Sequence, residues 1–101
     1  MVKITIKDID DNKVAILDGR LDTPATPEAE KALSPLLCCN DKDIILDCTD
    51  LNYIASSGLR IFLDILKNSK AHDHHVYIKN ISKNIKEAFV LTGFIDLFEY
   101  I

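Results

Sequence analysis

Residues 44–67 constrain the fold most, because the hydrophobic pattern of the chain changes abruptly within them. They open with the uninterrupted apolar run Ile44-Ile45-Leu46, which is typical of a strand that is buried on both faces. Polar residues at 49–52 then predict a turn. After a Ser-Ser-Gly sequence, apolar residues recur at the spacing of one helix face: Leu59, Phe62, Leu63 and Leu66. The stretch therefore predicts a buried strand, a turn and an amphipathic helix.

Two serines and a glycine, Ser56, Ser57 and Gly58, stand where this helix is expected to begin. The first turn of a helix leaves backbone N–H groups unpaired, and a serine hydroxyl is among the side chains that cap them best. The same N–H groups and the helix dipole favour negative charge, so a serine here is also suited to carry a phosphate. From these residues alone, capping is the favoured interpretation. Glycine, which has no Cβ, allows another segment to approach closely.

The chain before this stretch predicts a β-hairpin and a broken helix. Apolar and polar residues alternate over residues 2–7, and a more apolar return strand follows at residues 14–17. Thr23-Pro24 or Thr26-Pro27 can start a helix, because each places a capping residue before proline. Pro35 removes a backbone hydrogen bond and predicts a kink or break one residue before it.

The chain after this stretch predicts a second strand and two more helices. The central helix is expected to fade at Ala71, and Val76-Tyr77-Ile78 reads as the next strand, which completes a βαβ unit. Ser82 can cap a further helix that Gly93 terminates. The last apolar residues repeat at helical spacing, which favours a short final helix over a terminal strand: Phe94, Leu97, Phe98 and Ile101.

Length, charge and cysteine content narrow the class of protein. A chain of 101 residues is expected to form one domain over residues 1–101. Its formal net charge of -4 argues against nucleic-acid binding, which depends on many Lys and Arg contacts. No stretch approaches the ~20 apolar residues of a membrane span, and the alternating start lacks the apolar core of a signal peptide. Cys38, Cys39 and Cys48 have no zinc-site spacing and suit a reducing compartment, so we expect a cytoplasmic protein.

Candidates for catalysis or metal binding are weak. The run His72-Asp73-His74-His75 favours a solvated loop over a metal site, because no second ligand pair has the required spacing. Ser56 lacks the preceding glycine of the G-x-S-x-G nucleophile turn, and no catalytic triad can be recognised. The three glycines are scattered and form no phosphate-binding loop. We therefore predict no enzymatic activity, no cofactor and no metal.

Three motifs, in order along the chain, resemble those of the STAS domain, the fold of the anti-sigma factor antagonists. Gly19-Arg20-Leu21-Asp22 is similar to the family's G-x-L-D, and LNYIASSGL at residues 51–59 resembles its L-x-x-[ILMFY]-D-S-S-G-[LIV]. Leu91-Thr92-Gly93-Phe94, followed by Leu97-Phe98, looks like its closing motif. The resemblance covers nearly the whole chain and implies an α/β fold, with a mixed sheet of four to five strands and about four helices packed mainly on one face.

The resemblance also implies a function. An antagonist of this family binds an anti-sigma factor that is also a serine kinase, and so frees a sigma factor; phosphorylation ends the binding and a serine phosphatase restores it. Ser56 matches the phosphorylated serine, whereas Ala55 stands where the family usually has aspartate. The residues that the resemblance places at the partner surface are Asp22, Ala55, Ser56, Ser57, Gly58, Leu59, Arg60 and Ile61.

Two other functions compete with this one. STAS domains also serve as constant subunits of ABC transporters or signalling assemblies, and in that case Ile61 and Ile65 would form a permanent apolar interface while Ser56 would need no modification. A small hydrolase that uses Ser56 with a histidine is the second alternative. It is disfavoured because neither the nucleophile turn nor a triad is present in the sequence.

Overall fold

A β-hairpin opens the chain in the computed structural model, which describes residues 2–101. Its strands are antiparallel, and Ile9 pairs with Asn12 across a two-residue loop. Both loop residues, Asp10 and Asp11, have positive φ angles of 50° and 64°. That geometry is typical of the tight turns whose twist matches a hairpin, and aspartate tolerates it better than most residues. The predicted hairpin is therefore confirmed.

The architecture is a five-stranded mixed sheet with four helices, in the strand order β1-β2-β3-β4-β5. The first pair is antiparallel and the other three are parallel. The elements are β1 (Val2–Ile9), β2 (Asn12–Leu21), α1 (Thr26–Ala32), α2 (Ser34–Leu37), β3 (Asp43–Ile54), α3 (Ser56–Ala71), β4 (Val76–Lys79), α4 (Lys83–Thr92) and β5 (Glu99–Tyr100). The predicted α/β fold class and its numbers of strands and helices are confirmed.

The core lies between the sheet and its helices. Leu17, Leu46 and Ile78, from three neighbouring strands, are fully buried. From the helix side, Phe62 of α3 meets Phe89 of α4 edge to face, with ring centroids 6.3 Å apart. Such aromatic pairs add ~0.5–1.5 kcal/mol to the free energy of burial. The apolar periodicity of α3 thus fixes the layer that packs on the sheet.

The turn predicted at residues 49–52 is wrong, because β3 continues to Ile54. This part of the strand still pairs with β2: Asp50 lies opposite Asp18, and Tyr53 lies opposite Arg20, across two register irregularities. The polar residues of the segment are exposed, which made a strand with one solvated face look like a turn. The extension carries the end of β3 to the start of α3.

Two of the three prolines, Pro27 and Pro35, act as their chemistry requires. Pro27 lies in the first turn of α1, where its missing N–H is tolerated. α1 ends at Ala32 and the four-residue α2 begins at Ser34, so the break predicted before Pro35 is confirmed.

The final segment corrects another expectation. Glu99–Tyr100 forms a short strand parallel to β4, not a helix, so the terminal strand is the correct alternative. The Ile101 N–H donates to the Ile78 carbonyl over 3.0 Å, and the Tyr100 hydroxyl donates to the Ile95 carbonyl over 2.7 Å. Phe98 is buried against Phe89, with ring centroids 5.6 Å apart. No helix within residues 2–101 is long and apolar enough to cross a membrane.

Candidate functional site

The candidate site is the start of α3, at the carboxyl ends of β2 and β3. The Ala55 N–H donates to the Leu21 carbonyl over 2.8 Å, which ties the residue before the helix to the last residue of β2. Ser56 is the first residue of α3 and is exposed. Parallel strands place their carboxyl ends at one edge of the sheet, and helix N-termini at such an edge favour negative charge.

The N-cap of α3 is Ala55, whose backbone is extended at φ -84° and ψ 165°. Alanine has no oxygen with which to accept a bond, and no side chain caps this helix. The prediction that a serine caps α3 is therefore wrong. The first turn receives no hydrogen bond from a capping side chain, which leaves the positive end of the helix dipole beside Ser56.

Ser57 has a structural role that differs from capping. Its hydroxyl lies 2.8 Å from the Thr26 hydroxyl, at the start of α1. The Thr26 hydroxyl donates to the Asp22 carbonyl over 3.0 Å, so its single proton is used and Ser57 must donate to it. This chain of hydrogen bonds joins the start of α3 to the start of α1. It engages Ser57 and leaves Ser56 facing solvent.

Asp22 shapes the turn before α1. Its carboxylate accepts a bond from the Ala25 N–H over 3.0 Å, while its carbonyl accepts a second bond from the same N–H at 3.1 Å. A partly buried aspartate in this position stabilises the turn. Asp22 therefore stabilises the turn but does not cap α1, whose N-cap is Ala25 and which has no side-chain cap.

Gly58 allows α3 to start close to the strand ends. A Cβ at this position would lie 2.7 Å from Leu21 Cγ and 3.0 Å from Ile54 Cγ1. Real Cβ atoms do not approach other carbons this closely, so any other residue requires the first turn or Leu21 to move. The glycine of the Ser-Ser-Gly sequence is therefore a packing requirement of the site.

Three of the predicted partner-binding residues are not on the surface. Gly58 is buried, Leu59 is 1% exposed and Ile61 is 2% exposed, because all three pack into the core. The Leu59 and Ile61 side chains are not available to a partner of the folded chain, and Gly58 has no side chain, so the prediction is corrected for these three residues. Ile65 is also fully buried, which removes the apolar interface that Ile61 and Ile65 were expected to offer in a constant assembly.

The surface of the site is left to Asp22, Ala55, Ser56, Ser57 and Arg60. Ser56 and Arg60 are exposed, and the other three are partly buried. Among the predicted residues, these are the ones that a partner can reach.

Arg20 and Tyr53 belong to the neighbourhood of this site and were missed. The Arg20 guanidinium carbon lies 4.5 Å from the centre of the Tyr53 ring, a cation–π contact between the ends of β2 and β3. Tyr53 is nevertheless 42% exposed. Both residues lie within the first two motifs, but the turn assigned to residues 49–52 hid their pairing.

The histidine cluster lies at the opposite end of the sheet, where two of its side chains are hydrogen-bonded to carboxylates. His74 Nδ1 is 3.0 Å from Asp43 Oδ1, and His75 Nδ1 is 2.7 Å from Glu99 Oε2. The His75 N–H, donating to Asp43, is the main cause that holds the pKa of Asp43 below its ordinary value. Within the described part of the chain, no cluster of three or more ligating side chains could hold a metal ion.

Burial also makes the thiol of Cys48, in β3, unreactive. Cys48 is fully buried, and desolvation raises the pKa of its thiol to about 12. A thiol with such a pKa stays protonated near neutrality and is a poor nucleophile. Cys38, Cys39 and Cys48 are all free thiols.

The fold and the Ser-Ser-Gly helix start define a STAS domain: residues 3–101 match the STAS domain family, and the chain belongs to that family. The anti-sigma-B factor antagonist of Staphylococcus aureus (strain NCTC 8325 / PS 47) is 34% identical over 79 residues, which are 78% of this chain and 73% of that relative.

Two solved structures show the same fold. An anti-sigma factor antagonist from Mycobacterium paratuberculosis superposes with a TM-score of 0.87 at 17% identity, over 99% of this chain and 85% of that chain. The Bacillus cell fate determinant SpoIIAA, in its phosphorylated form, superposes with a TM-score of 0.72 at 19% identity, over 98% of this chain and 91% of that chain.

Proposed function

We propose that this chain is an anti-sigma factor antagonist whose binding is switched by phosphorylation of Ser56. It binds an anti-sigma factor that is also a serine kinase, and so frees a sigma factor for transcription in the cytoplasm. The kinase phosphorylates Ser56 and ends the binding, and a serine phosphatase restores it. The Staphylococcus aureus relative supports the proposal through its name and its 34% identity.

The observation that carries the proposal is the contrast between the two serines. Ser56 is exposed at the first position of α3, whereas Ser57 is engaged with Thr26 over 2.8 Å. A kinase that reaches this helix start therefore finds an exposed hydroxyl at Ser56 and a partly buried, hydrogen-bonded hydroxyl at Ser57. The contrast supports Ser56 as the acceptor, and this support does not depend on the missing aspartate.

A phosphate at Ser56 suits the fold and changes the surface. It adds about -1.5 to -2 charges at pH 7. The uncapped N-terminus of α3 favours that charge, so the free domain stays folded when it is modified. The switch then acts on the partner, by repulsion or by occupying the contact surface.

The proposed partner surface includes the exposed Ser56 and Arg60 and the partly buried Asp22, Ala55 and Ser57. The rival function, a constant subunit, loses its expected apolar interface because Ile61 and Ile65 lie in the core. A surface that centres on a modifiable serine fits a switched complex better than a permanent one.

Affinity capture from the native cell lysate tests the proposal. The baits are the wild type, Ser56→Asp and Ser56→Ala, and the retained proteins are identified by mass spectrometry. The wild type and Ser56→Ala are expected to retain a serine kinase, and Ser56→Asp is expected to lose it. Retention of one transporter ATPase or scaffold by all three baits would instead identify a constant subunit. A melting curve of Ser56→Asp controls for folding.

A further inference from the structure

Helix α4 carries an outward face that the fold does not use. Its inner residues Ile85 and Phe89 are buried in the core. The residues on the other side recur at the spacing of one helix face, and we call them the α4 face: Lys83, Lys86, Glu87, Val90 and Leu91. Leu91 is 87% exposed, more than any other large hydrophobic side chain among residues 2–101. Such exposure of a leucine beside Val90, itself 54% exposed, is typical of a contact surface.

Two grooves flank Leu91. One, of about 480 Å³, runs along the α4 face from Lys83 to Leu91. The other, of about 380 Å³, separates α4 from the end of β3, and Arg20, Tyr53 and Ile54 are among its lining residues. Leu91 lines both grooves, so it forms a ridge between two depressions. Ridges and grooves at this scale match the side-chain rows of a helix, whereas a bilayer surface is flat.

The charge of this surface is opposite in sign to that of the chain. Arg20, Lys83 and Lys86 stand around the grooves against the single acid Glu87. The whole chain has a net charge of -4. The guanidinium of Arg20 is held over the Tyr53 ring at 4.5 Å, so it is fixed at the groove wall. A complementary partner therefore carries acidic side chains around an apolar stripe.

The groove beside Tyr53 leads to the phosphorylation site. Ile54 lines the groove and lies two residues before Ser56, and the intervening Ala55 is tied to Leu21 by a backbone hydrogen bond. A phosphate on Ser56 would place negative charge at the end of a surface that accepts an acidic segment. Repulsion between the two gives a physical reason for the release of the partner.

We infer that the α4 face and the groove beside Tyr53 bind an acidic amphipathic helix of the anti-sigma factor. This inference rests on the proposed function for the identity of the partner. The apolar stripe of the helix packs on Val90, Leu91 and Tyr53. Its acidic side chains pair with Arg20, Lys83 and Lys86. Phosphorylation of Ser56 weakens the contact through charge.

A titration followed by NMR tests the surface without the natural partner. The probe is a synthetic amphipathic peptide with leucine at i, i+3, i+4 and i+7 and glutamate elsewhere, and its matched control has lysine in place of glutamate. The glutamate peptide is expected to shift the amides of Arg20, Tyr53 and residues 83–91, and the lysine peptide is not. Leu91→Glu is expected to weaken the binding about tenfold or more.

The matched control for Leu91→Glu is Ile9→Glu. Ile9 is a 47% exposed aliphatic residue in the hairpin, at the opposite end of the sheet from Ser56, and its substitution is expected to leave the affinity unchanged. Equal shifts with both peptides, shifts elsewhere, or no shifts would overturn the inference. So would binding of vesicles with anionic phosphatidylglycerol through Leu91 without peptide binding, which would indicate a membrane surface.

The failure of this inference and of the proposed function can be told apart. If Ser56→Asp releases the kinase while Leu91→Glu neither releases it nor weakens the glutamate peptide, the phosphorylation switch stands and the α4 face is not its docking surface. If the glutamate peptide binds the α4 face but no kinase is retained by the wild type, the surface stands and the proposed partner is wrong.

Discussion

Ala55 determines how α3 begins, and it is the point at which the chain departs from its family. The residue has N-cap geometry but no acceptor group, so the helix start lacks a side-chain cap. Aspartate, the usual family residue, is among the best N-cap residues. The chain therefore lacks the helix cap that an aspartate would supply, but it keeps the serine that follows, Ser56.

Restoring the acid should stabilise the protein. Ala55→Asp is expected to raise the free energy of unfolding by ~1 kcal/mol, because its carboxylate can accept a bond from the first turn and favours the helix dipole. Urea denaturation at neutral pH measures the change. Ala55→Asn is the matched control, since it supplies the acceptor without the charge. An unchanged midpoint for both variants would show that the helix start does not need a cap.

Gly58 is the second residue on which the site depends. Gly58→Ala is expected to destabilise the protein by ~1–3 kcal/mol, because the new methyl group would overlap Leu21 and Ile54. The higher helix propensity of alanine offsets part of this cost, by ~1 kcal/mol. A double-mutant cycle with Leu21→Ala, measured by urea denaturation, isolates the overlap: the cost of Gly58→Ala should fall when Leu21 is truncated. A cost that is the same in both backgrounds contradicts the packing explanation.

At the scale of the elements, the start of α4 and the break near Pro35 could be predicted from local chemistry, whereas α1 and α3 begin without the side-chain caps that were expected. Ser82 caps α4 by accepting from the Ile85 N–H, and Gly93 ends α4 with φ 78°, both as expected. The hydrogen bond between the Thr26 and Ser57 hydroxyls could not be predicted, because the two residues are far apart in sequence and meet only when α1 and α3 pack. The hydrogen-bond partner of the Ser57 hydroxyl is therefore set by a tertiary contact and not by local helix propensity.

Strand ends were the least predictable elements. Thr49, Asp50 and Asn52 are exposed polar residues of β3, and such a polar run is also typical of a turn. Phe94, Leu97 and Phe98 have helical spacing, but only Phe98 of the three is fully within the core. The backbone hydrogen bond from the Ile101 N–H to the Ile78 carbonyl holds this end of the chain beside β4 as a strand. The hydrophobic pattern of the sequence does not indicate that bond.

The hydrogen bonds of Asp43, in β3, with His74 and His75, before β4, predict that the stability of the fold depends on pH. The pKa of Asp43 is lowered from its ordinary value of 3.8, mainly by the His75 N–H and also by His74. Because the pKa is lower in the folded state, the charged carboxylate stabilises the fold at any pH above the ordinary pKa. This stabilisation is lost as the pH falls through the folded-state pKa. Wild type should therefore lose more stability below pH 3.8 than Asp43→Asn.

Urea midpoints of both proteins across this acid range check the prediction. The neutral amide of asparagine can still accept from the His75 N–H but has no charge to lose on acidification. Parallel curves for wild type and Asp43→Asn would contradict a role for the ionised carboxylate.

At the scale of the whole molecule, the candidate site and the proposed partner surface lie at one end of the sheet. The carboxyl ends of β2 and β3, the start of α3 and the outward side of α4 meet there, whereas the histidine pairs lie at the other end. The family and the fold could be predicted from three short motifs, because those motifs fix the strand–helix junctions. The partner surface could not, since the sequence alone did not separate buried Ile61 from exposed Arg60.

The central claim is that Ser56 is the residue that the bound kinase modifies. The most direct measurement incubates the protein with its retained kinase and ATP, and then maps phosphate in the tryptic fragment of residues 43–60, which contains Ser56, Ser57 and Thr49. The expected result is phosphate on Ser56 alone, none in Ser56→Ala, and loss of kinase binding by the modified protein. Phosphate on Ser57, no phosphate, or unchanged binding after modification would contradict the switch.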